Sequence, residues 1–210
     1  MITVLVTDDH TIFRRGLSEI LDQTPDISVG GEAQDGAEAL ELLRDRPFDV
    51  IVLDIQMPGR GGLEILKEVR RLHPDVAVLM LSMHPVDQYA VRAVKAGALG
   101  YLTKERTPYE LIDAIRTVAA GRRYIDDTLA QELAEEVGEG GGDRPHNRLS
   151  DRELRVMLLL ARGSTVREIA ENLCLSVNTI STYRARILSK MKLRNSAELA
   201  YYAVKEGLLE

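Results

Sequence analysis

The sequence has little of what several classes of protein require. Of its 210 residues only Cys174 is a cysteine, tryptophan is absent, and the four histidines lack the C-x-x-C or H-x-x-x-H spacing of metal-binding motifs. A disulfide framework and a structural zinc site are therefore excluded. We expect Cys174 to be an ordinary packing residue near a turn.

Long hydrophobic runs are also missing. The longest, at 49–54 and 76–81, have the length of buried strands and are far shorter than a membrane span. The N-terminal segment Met1–Val6 has no positively charged start and no small-residue cleavage site, so it is predicted to be a strand and not a signal peptide. We expect a cytoplasmic protein that makes no membrane contact.

The two parts of the chain differ in charge. Residues 1–143 carry 15 basic and 26 acidic residues, a net charge of −11, whereas residues 144–210 carry 12 and 7, a net charge of +5. Any contact with nucleic acid is therefore predicted in the C-terminal third.

Short runs of valine, isoleucine and leucine alternate with longer amphipathic segments over the first 125 residues. The predicted strands are 3–7, 27–31, 50–53, 76–81 and 99–102. The predicted helices lie near 11–22, 36–44, 62–72, 87–96 and 108–120. Five such repeats predict an α/β, doubly wound, five-stranded parallel sheet with helices on both faces. Folds of this kind place their sites at the carboxyl ends of the strands.

Glycine marks the boundary between two domains. Residues 138–145 contain four glycines and a proline, which cannot hold a helix or a strand. A helix at about Asp127–Val137 is predicted to precede them. We therefore expect one domain at 1–122, a linker helix with a Gly-rich linker at 123–147, and a second domain at 148–210.

The second domain is predicted to be an all-α module of four helices. Two of its helices begin with capping boxes, Ser150–Glu153 and Thr165–Glu168. Ser176 is the expected cap of a third helix that runs to about Met191, and a fourth opens at 195 or 196.

Three carboxylates are predicted to meet at one edge of the sheet. Asp8 and Asp9 end the first strand and Asp54 ends the third. Two carboxylates about 4 Å apart repel each other by about 4 kcal/mol at an effective dielectric near 20. Such a cluster persists when a hard cation occupies it, and Mg²⁺ prefers oxygen ligands and a phosphate. Lys104 and Ser82, at the ends of the fifth and fourth strands, supply a positive charge and a hydroxyl for an anionic oxygen.

These motifs, in this order, resemble the receiver domain of response regulators. They are Asp8–Asp9, Asp54–Gly59, Ser82–His84 and Gly100–Lys104. The resemblance implies that Asp54 accepts a phosphoryl group from a sensor histidine kinase. It further implies Mg²⁺ bound by Asp9, Asp54 and the backbone carbonyl of Gln56, with Asp8 acting through water. Lys104 and Ser82 would then hold the phosphoryl oxygens, and Tyr101 would change rotamer with Ser82.

The C-terminal motifs resemble the LuxR-type helix-turn-helix. They are Leu149–Glu153, Gly163–Ala170 and Leu175–Ser181. Combined with a receiver, they resemble the NarL/LuxR family of response regulators, and the resemblance implies binding to double-stranded operator DNA.

The third helix of this module is predicted to present one face to the core and the other to the major groove. Helical spacing directs Ile180, Tyr183, Ile187 and Met191 inward. The opposite face is a polar and basic surface made by Ser181, Thr182, Ala185, Arg186, Ser189 and Lys190. Arg184, Lys192 and Arg194 extend the positive charge toward phosphates. Thr179, in the first turn, completes the predicted DNA contacts.

The expected function is a response regulator in which phosphorylation of Asp54 controls dimerisation and DNA binding, with RNA polymerase as a further partner. Two alternatives remain open. A phosphatase of the haloacid-dehalogenase type also phosphorylates an aspartate at a strand end, but it needs a second aspartate where Gln56 stands. An interaction module regulated without phosphate is suggested by the bulky Met83 and by Glu105, which follows Lys104 where many receivers have proline.

Overall fold

The computed structural model describes residues 1–83, 88–138 and 144–209. The chain divides into two compact units, Met1–Glu132 and Leu133–Glu210. This division falls within the segment 123–147 that the sequence predicts to be a linker.

The first unit is built on one sheet whose neighbouring strands are all parallel. Its strands are β1 (Ile2–Thr7), β2 (Ile27–Ala33), β3 (Val50–Asp54), β4 (Ala77–Ser82) and β5 (Gly100–Thr103). Their order across the sheet is β2-β1-β3-β4-β5. The predicted five-stranded parallel sheet is confirmed, and β3 extends through Asp54 itself.

Four helices connect these strands and a fifth follows β5, as the sequence predicts. They are α1 (Thr11–Asp22), α2 (Gly36–Asp45), α3 (Gly62–Leu72), α4 (Gln88–Lys95) and α5 (Pro108–Ala119). The predicted start of α4 near residue 87 lies outside the described residues. A capping box that the sequence analysis did not identify starts α5: Thr107 and Glu110 exchange side-chain and backbone hydrogen bonds.

The central strand β3 is buried at every position, as expected for a parallel strand covered on both faces. On one face, Val50 and Val52 pack in a hydrophobic cluster with Leu21 of α1 and Ile115 of α5. The apolar core thus holds the carboxyl end of β3, with its aspartate, in a fixed place.

The end of β3 also needs a glycine beside it. A Cβ atom at Gly62, the first residue of α3, would overlap the backbone carbonyl group of Asp54. Only glycine lets α3 begin this close to the strand end.

The second unit is helical. It contains the end of α6 (Asp127–Gly138), a 3-10 turn at Pro145–Arg148, and α7 (Asp151–Ala161), α8 (Val166–Asn172), α9 (Val177–Met191) and α10 (Ser196–Lys205). The helix α7 packs against α9 and α10, and α8 packs against α9. The predicted four-helix module is confirmed, while residues 139–143 of the predicted Gly-rich linker lie outside the described residues.

The predicted helix starts in this unit are present. Capping boxes join Ser150 to Glu153 and Thr165 to Glu168. Ser176 caps α9 by accepting a hydrogen bond from the backbone N–H of Thr179. These caps satisfy amide groups that the first turn of each helix leaves without partners.

Two side chains of this unit lie elsewhere than predicted. Cys174 is exposed in the turn after α8, where it adopts a left-handed conformation (φ 53°). Tyr183 is half-buried, whereas Ile180, Ile187 and Met191 are buried. At about 100° per residue, Tyr183 lies roughly 60° to the side of Ile180, at the edge of the buried stripe.

Candidate functional site

The predicted carboxylates meet at the carboxyl edge of the sheet. Because β1 and β3 are neighbours, Asp8 and Asp9, which follow β1, lie next to Asp54 at the end of β3. Asp8 and Asp54 are each only 1% exposed, and Asp9 lies nearer the surface. The fold therefore buries two carboxylates side by side.

Lys104 lies between these two carboxylates. Its Nζ is 2.8 Å from Asp54 Oδ2 and 2.6 Å from Asp8 Oδ2, and its side chain is 3% exposed. The Lys104 amide donates a hydrogen bond to the Ser82 carbonyl (2.7 Å), and the ammonium group lies 4.8 Å from the centre of the Phe13 ring. These contacts hold the Lys104 ammonium group in the pocket that Asp8 and Asp54 share.

Burial is the largest influence on the pKa of Asp54, and it raises that pKa. Lys104 lowers the pKa by its charge and its hydrogen bond, and Asp8 raises it again, so that the pKa stays above the usual carboxyl range. The amide of Gln56 donates a hydrogen bond to Asp54 Oδ1 (3.1 Å), which also favours the ionised form. One lysine does not compensate fully for the burial of this carboxylate.

Two oxygens of the pocket are suited to a cation. Asp9 Oδ1 is buried without a hydrogen bond, and Asp8 Oδ2 contacts Lys104 as an ion pair without hydrogen-bond geometry. Ligand atoms of Asp8, Asp9, His10 and Asp54 all lie within 4.8 Å of one another. Carboxylate oxygens at this spacing suit Mg²⁺, which prefers hard oxygen ligands.

His10 and Arg14 also reach the pocket, and the sequence analysis did not identify either. His10 Nδ1 is 2.9 Å from Asp9 Oδ1 and 3.3 Å from Asp8 Oδ1. Arg14 donates a hydrogen bond to the Asp8 carbonyl (2.6 Å) and another to Glu32 (3.2 Å). The position of His10 directly after two aspartates is a usable signal, whereas nothing local in the sequence identifies Arg14.

Ser82 and Tyr101 lie on neighbouring strands. In the register of β4 and β5, Ser82 pairs with Thr103 and Met80 pairs with Tyr101, so the two residues are offset by two positions. Ser82 and Tyr101 are both buried, and Met83 next to Ser82 is exposed. The serine hydroxyl group is thus on the strand next to the one that carries Asp54.

The outer face of α9 has the predicted exposure. Its exposed residues include Ser181, Thr182, Ala185, Arg186, Ser189 and Lys190. Thr179 and Arg184 are half-buried, and Lys192, which ends the helix in a left-handed conformation, is exposed. The surface is polar, with basic groups in its second half.

Some of these side chains are bound to the rest of the module. Lys190 Nζ lies 2.6 Å from Glu153 Oε2 of α7, and Arg184 Nε donates a hydrogen bond to Ser196 Oγ of α10 (3.0 Å). Within the described part of the chain, Arg186 makes no hydrogen bond or ion pair. The basic residues of α9 therefore differ in how free they are to bind a ligand.

None of the helices in the described ranges combines the length and the apolar composition needed to cross a membrane.

Two family models match the chain. The model for the response regulator receiver domain matches residues 4–116. The model described as bacterial regulatory proteins, luxR family, matches residues 147–203. A receiver followed by a LuxR-type DNA-binding domain defines a response regulator, which is a regulatory protein and not a classical enzyme.

Similar proteins identify the family within this class. Response regulator UvrY of Escherichia coli K12 is 39% identical over 209 residues, which cover 99% of this chain and 96% of UvrY. Response regulator GacA of Pseudomonas aeruginosa is 39% identical over 211 residues, which cover 100% of this chain and 99% of GacA. The chain belongs to the NarL/LuxR family of response regulators.

A solved structure of RcsB from Salmonella enterica serovar Typhimurium, bound to promoter rprA in the presence of phosphomimetic BeF₃⁻, is similar to this chain. The TM-score is 0.66 at 26% identity, and the match covers 96% of this chain and 97% of RcsB.

Proposed function

We propose that a sensor histidine kinase phosphorylates Asp54 and that this phosphorylation controls dimerisation and operator binding by the domain at 148–210. The contact of Lys104 with both Asp54 and Asp8 carries the proposal. A buried lysine between two buried carboxylates is costly to build, and it supplies the fixed charge that phosphoryl transfer requires.

Asp8, Asp9, Asp54 and the carbonyl of Gln56 would hold Mg²⁺, with Asp8 acting through water. The Asp9 oxygen that makes no hydrogen bond, although it contacts His10, and the spacing of the carboxylates support this set. When bound, Mg²⁺ would neutralise the carboxylates and the oxygens of the incoming phosphoryl group.

In the transfer, an Asp54 carboxylate oxygen forms a bond to phosphorus while the bond from phosphorus to the kinase histidine breaks. The Lys104 ammonium group exchanges its contact with the Asp54 carboxylate for one with the phosphoryl oxygens. This movement is short because Nζ already contacts Asp54 Oδ2. The Ser82 hydroxyl group donates to a second phosphoryl oxygen. Most of the catalytic effect is positioning and charge neutralisation.

The output is a change in receiver surface. Movement of Ser82 toward the phosphoryl group leaves space that Tyr101 occupies by a change of rotamer. That change alters the face formed by α4, β5 and α5, or the face formed by α1 and α5, and so promotes a homodimer. Two DNA-binding domains would then match half-sites about one helical turn apart.

The proposed DNA contacts lie on α9. Ser181, Thr182, Ala185 and Arg186 would face base edges, while Thr179, Arg184 and Lys192 would contact phosphates. The net charge of +5 on 144–210 and the RcsB complex with promoter DNA support this surface. RNA polymerase is the proposed further partner on DNA, and this role implies a cytoplasmic location.

The test compares the full chain with and without BeF₃⁻ and Mg²⁺. Light scattering measures the size of the protein, and fluorescence anisotropy measures its affinity for a DNA duplex selected from a random-sequence pool. We expect a dimer and tighter binding with BeF₃⁻, and no response from Asp54→Asn. If neither the size nor the affinity of the wild-type chain changes, the proposal is wrong.

A further inference from the structure

Lys190 combines two features that a free phosphate-binding lysine does not have. It lies near the C-terminal end of α9, and its side chain is 42% exposed. Its Nζ is nevertheless 2.6 Å from the carboxylate of Glu153, whose side chain is only 5% exposed. Its partner lies 37 positions away in the sequence, on the first turn of α7. The ion pair therefore connects the C-terminal half of α9 to the scaffold helix.

Glu153 Oε2 accepts three hydrogen bonds. Besides Lys190, the amide and the hydroxyl group of Ser150 donate to it at 2.8 Å and 3.0 Å in the capping box. Burial raises the pKa of Glu153, but the bonds from Lys190 and Ser150 outweigh this effect and bring the pKa below its usual value. The carboxylate is thus ionised at neutral pH and needs a countercharge.

A DNA phosphate would compete with Glu153 for that countercharge. If Lys190 turned to a phosphate, the buried Glu153 carboxylate would lose its ammonium partner and keep only the two hydrogen bonds from Ser150, so the phosphate contact would have to offset that loss. Lys192, two residues later at the end of α9, is exposed, and its side chain has no such partner within the described residues.

We propose that Lys190 is a positioning residue: its ion pair with Glu153 sets the orientation of α9 on α7, and it does not contact DNA. The proposal rests on the DNA-binding function and reassigns one of the residues that the sequence predicts to touch the operator. It leaves the phosphate contact at this end of α9 to Lys192.

The ends of α9 are held by different devices. At its start, Ser176 caps the helix and Ile180 is buried in the module. At its end, Ile187 and Met191 are buried and the Lys190–Glu153 pair closes the contact with α7. Removal of the pair should therefore loosen the second half of α9 more than the first.

The test uses Lys190→Met, Glu153→Gln, the double variant, and Lys192→Met as a matched control that removes one positive charge from the end of the same helix. Glutamine at position 153 keeps the capping box with Ser150 but removes the ion pair. All variants are made in the full chain.

Two readouts separate a positioning role from direct binding to DNA. The first is hydrogen exchange of α9 in the free protein, measured by mass spectrometry. The second is the slope of log affinity against log salt concentration on the selected duplex, whose magnitude falls by about 0.9 for each DNA phosphate that the protein no longer neutralises.

We expect Lys190→Met and Glu153→Gln each to speed exchange in the second half of α9 by about tenfold, with no further increase in the double variant. Lys190→Met should weaken binding with an unchanged salt slope. Lys192→Met, at a proposed phosphate contact, should lower the magnitude of the slope by about 0.9 and leave exchange unchanged.

A fall in the salt slope of Lys190→Met would overturn the proposal, whatever happens to exchange. Unchanged exchange in Lys190→Met or Glu153→Gln would overturn it as well, and this readout needs no DNA. If the wild-type chain selects no duplex, the proposed DNA-binding function fails, and the exchange measurement alone decides the role of Lys190 in positioning α9.

Discussion

Asp54→Asn is expected to stabilise the first unit when no metal is present. Ligand oxygens in the pocket are at most 4.8 Å apart, so the carboxylate charges of Asp8 and Asp9 would each repel that of Asp54 by at least about 3.5 kcal/mol at an effective dielectric near 20. Lys104, at 2.8 Å, attracts Asp54 by about 6 kcal/mol on the same scale. The repulsions exceed the attraction by about 1 kcal/mol, and the burial of the charge adds to this cost.

Asparagine removes the charge but keeps an oxygen that can accept from Gln56. We therefore expect a gain of about 1 to 3 kcal/mol, which is a rise of about 4 to 12 °C in the melting temperature of a unit this size. Saturating Mg²⁺ should raise the melting temperature of the wild type and reduce or reverse the difference, because the metal binds the folded carboxylates.

The pH dependence follows from the raised pKa of Asp54, whose main cause is burial. Between the usual carboxyl pKa and this raised value, the folded state holds a proton that the unfolded state has released. In chelator, the stability of the wild type should thus fall as pH rises through this interval, and the reduction should persist at neutral pH. Asp54→Asn should lack this fall.

Calorimetry of the full chain in chelator resolves the unfolding of the two units. The control is Asp75→Asn, which removes an exposed charge from the loop before β4 and should leave the melting temperature nearly unchanged. Equal melting temperatures for wild type and Asp54→Asn in chelator, or a lower one for the variant, would refute the repulsion argument.

Three further predictions concern other parts of the molecule. Lys104→Met should destabilise the first unit by about 3–5 kcal/mol in chelator, since two buried carboxylates are left without their cation, and Mg²⁺ should restore part of the stability. Unchanged stability of this variant in calorimetry would contradict the ion-pair geometry. Gly62→Ala should lower the free energy of unfolding by about 1–3 kcal/mol because its methyl group overlaps the end of β3, whereas Gly16→Ala, where a Cβ meets nothing within 4 Å, should stabilise α1 slightly. Similar melting temperatures for both variants would argue against the close approach of α3 to β3. Tyr202→Phe should lower the stability of the second unit by about 1 kcal/mol because it removes a 2.7 Å hydrogen bond to the buried His146, and Tyr201→Phe, at an exposed position, should leave the stability unchanged. Equal urea midpoints for the two variants would show that this hydrogen bond does not contribute to stability.

The sheet and the acidic pocket could be predicted because their signals are local and regular. Runs of valine, isoleucine and leucine identify β1 and β3, and a parallel sheet brings the residues that follow its strands to one edge. Asp8 and Asp54 therefore had to lie close together once β1 and β3 were neighbours. The helix starts at Ser150 and Thr165 were likewise predictable, because a capping box needs only four consecutive residues.

The remaining features depend on contacts between distant residues or on turn geometry. The Lys190–Glu153 pair joins residues 37 positions apart, so a basic helix face gave no indication that one of its lysines is occupied. Arg14, on α1, donates a hydrogen bond to the Asp8 carbonyl because the loop after β1 brings the two residues together. Cys174 is exposed and has a positive φ, and composition reveals neither feature.

The central claim is that Asp54 accepts a phosphoryl group in a pocket that requires Mg²⁺. The most direct measurement is intact-protein mass spectrometry after incubation with a small phosphodonor, in Mg²⁺ and in chelator, followed by mapping of the modified peptide. We expect the added mass of one phosphoryl group on Asp54 in Mg²⁺, none in chelator, and none in Asp54→Asn. No addition to the wild type in Mg²⁺, or equal addition to Asp54→Asn, would contradict it and favour regulation without phosphate.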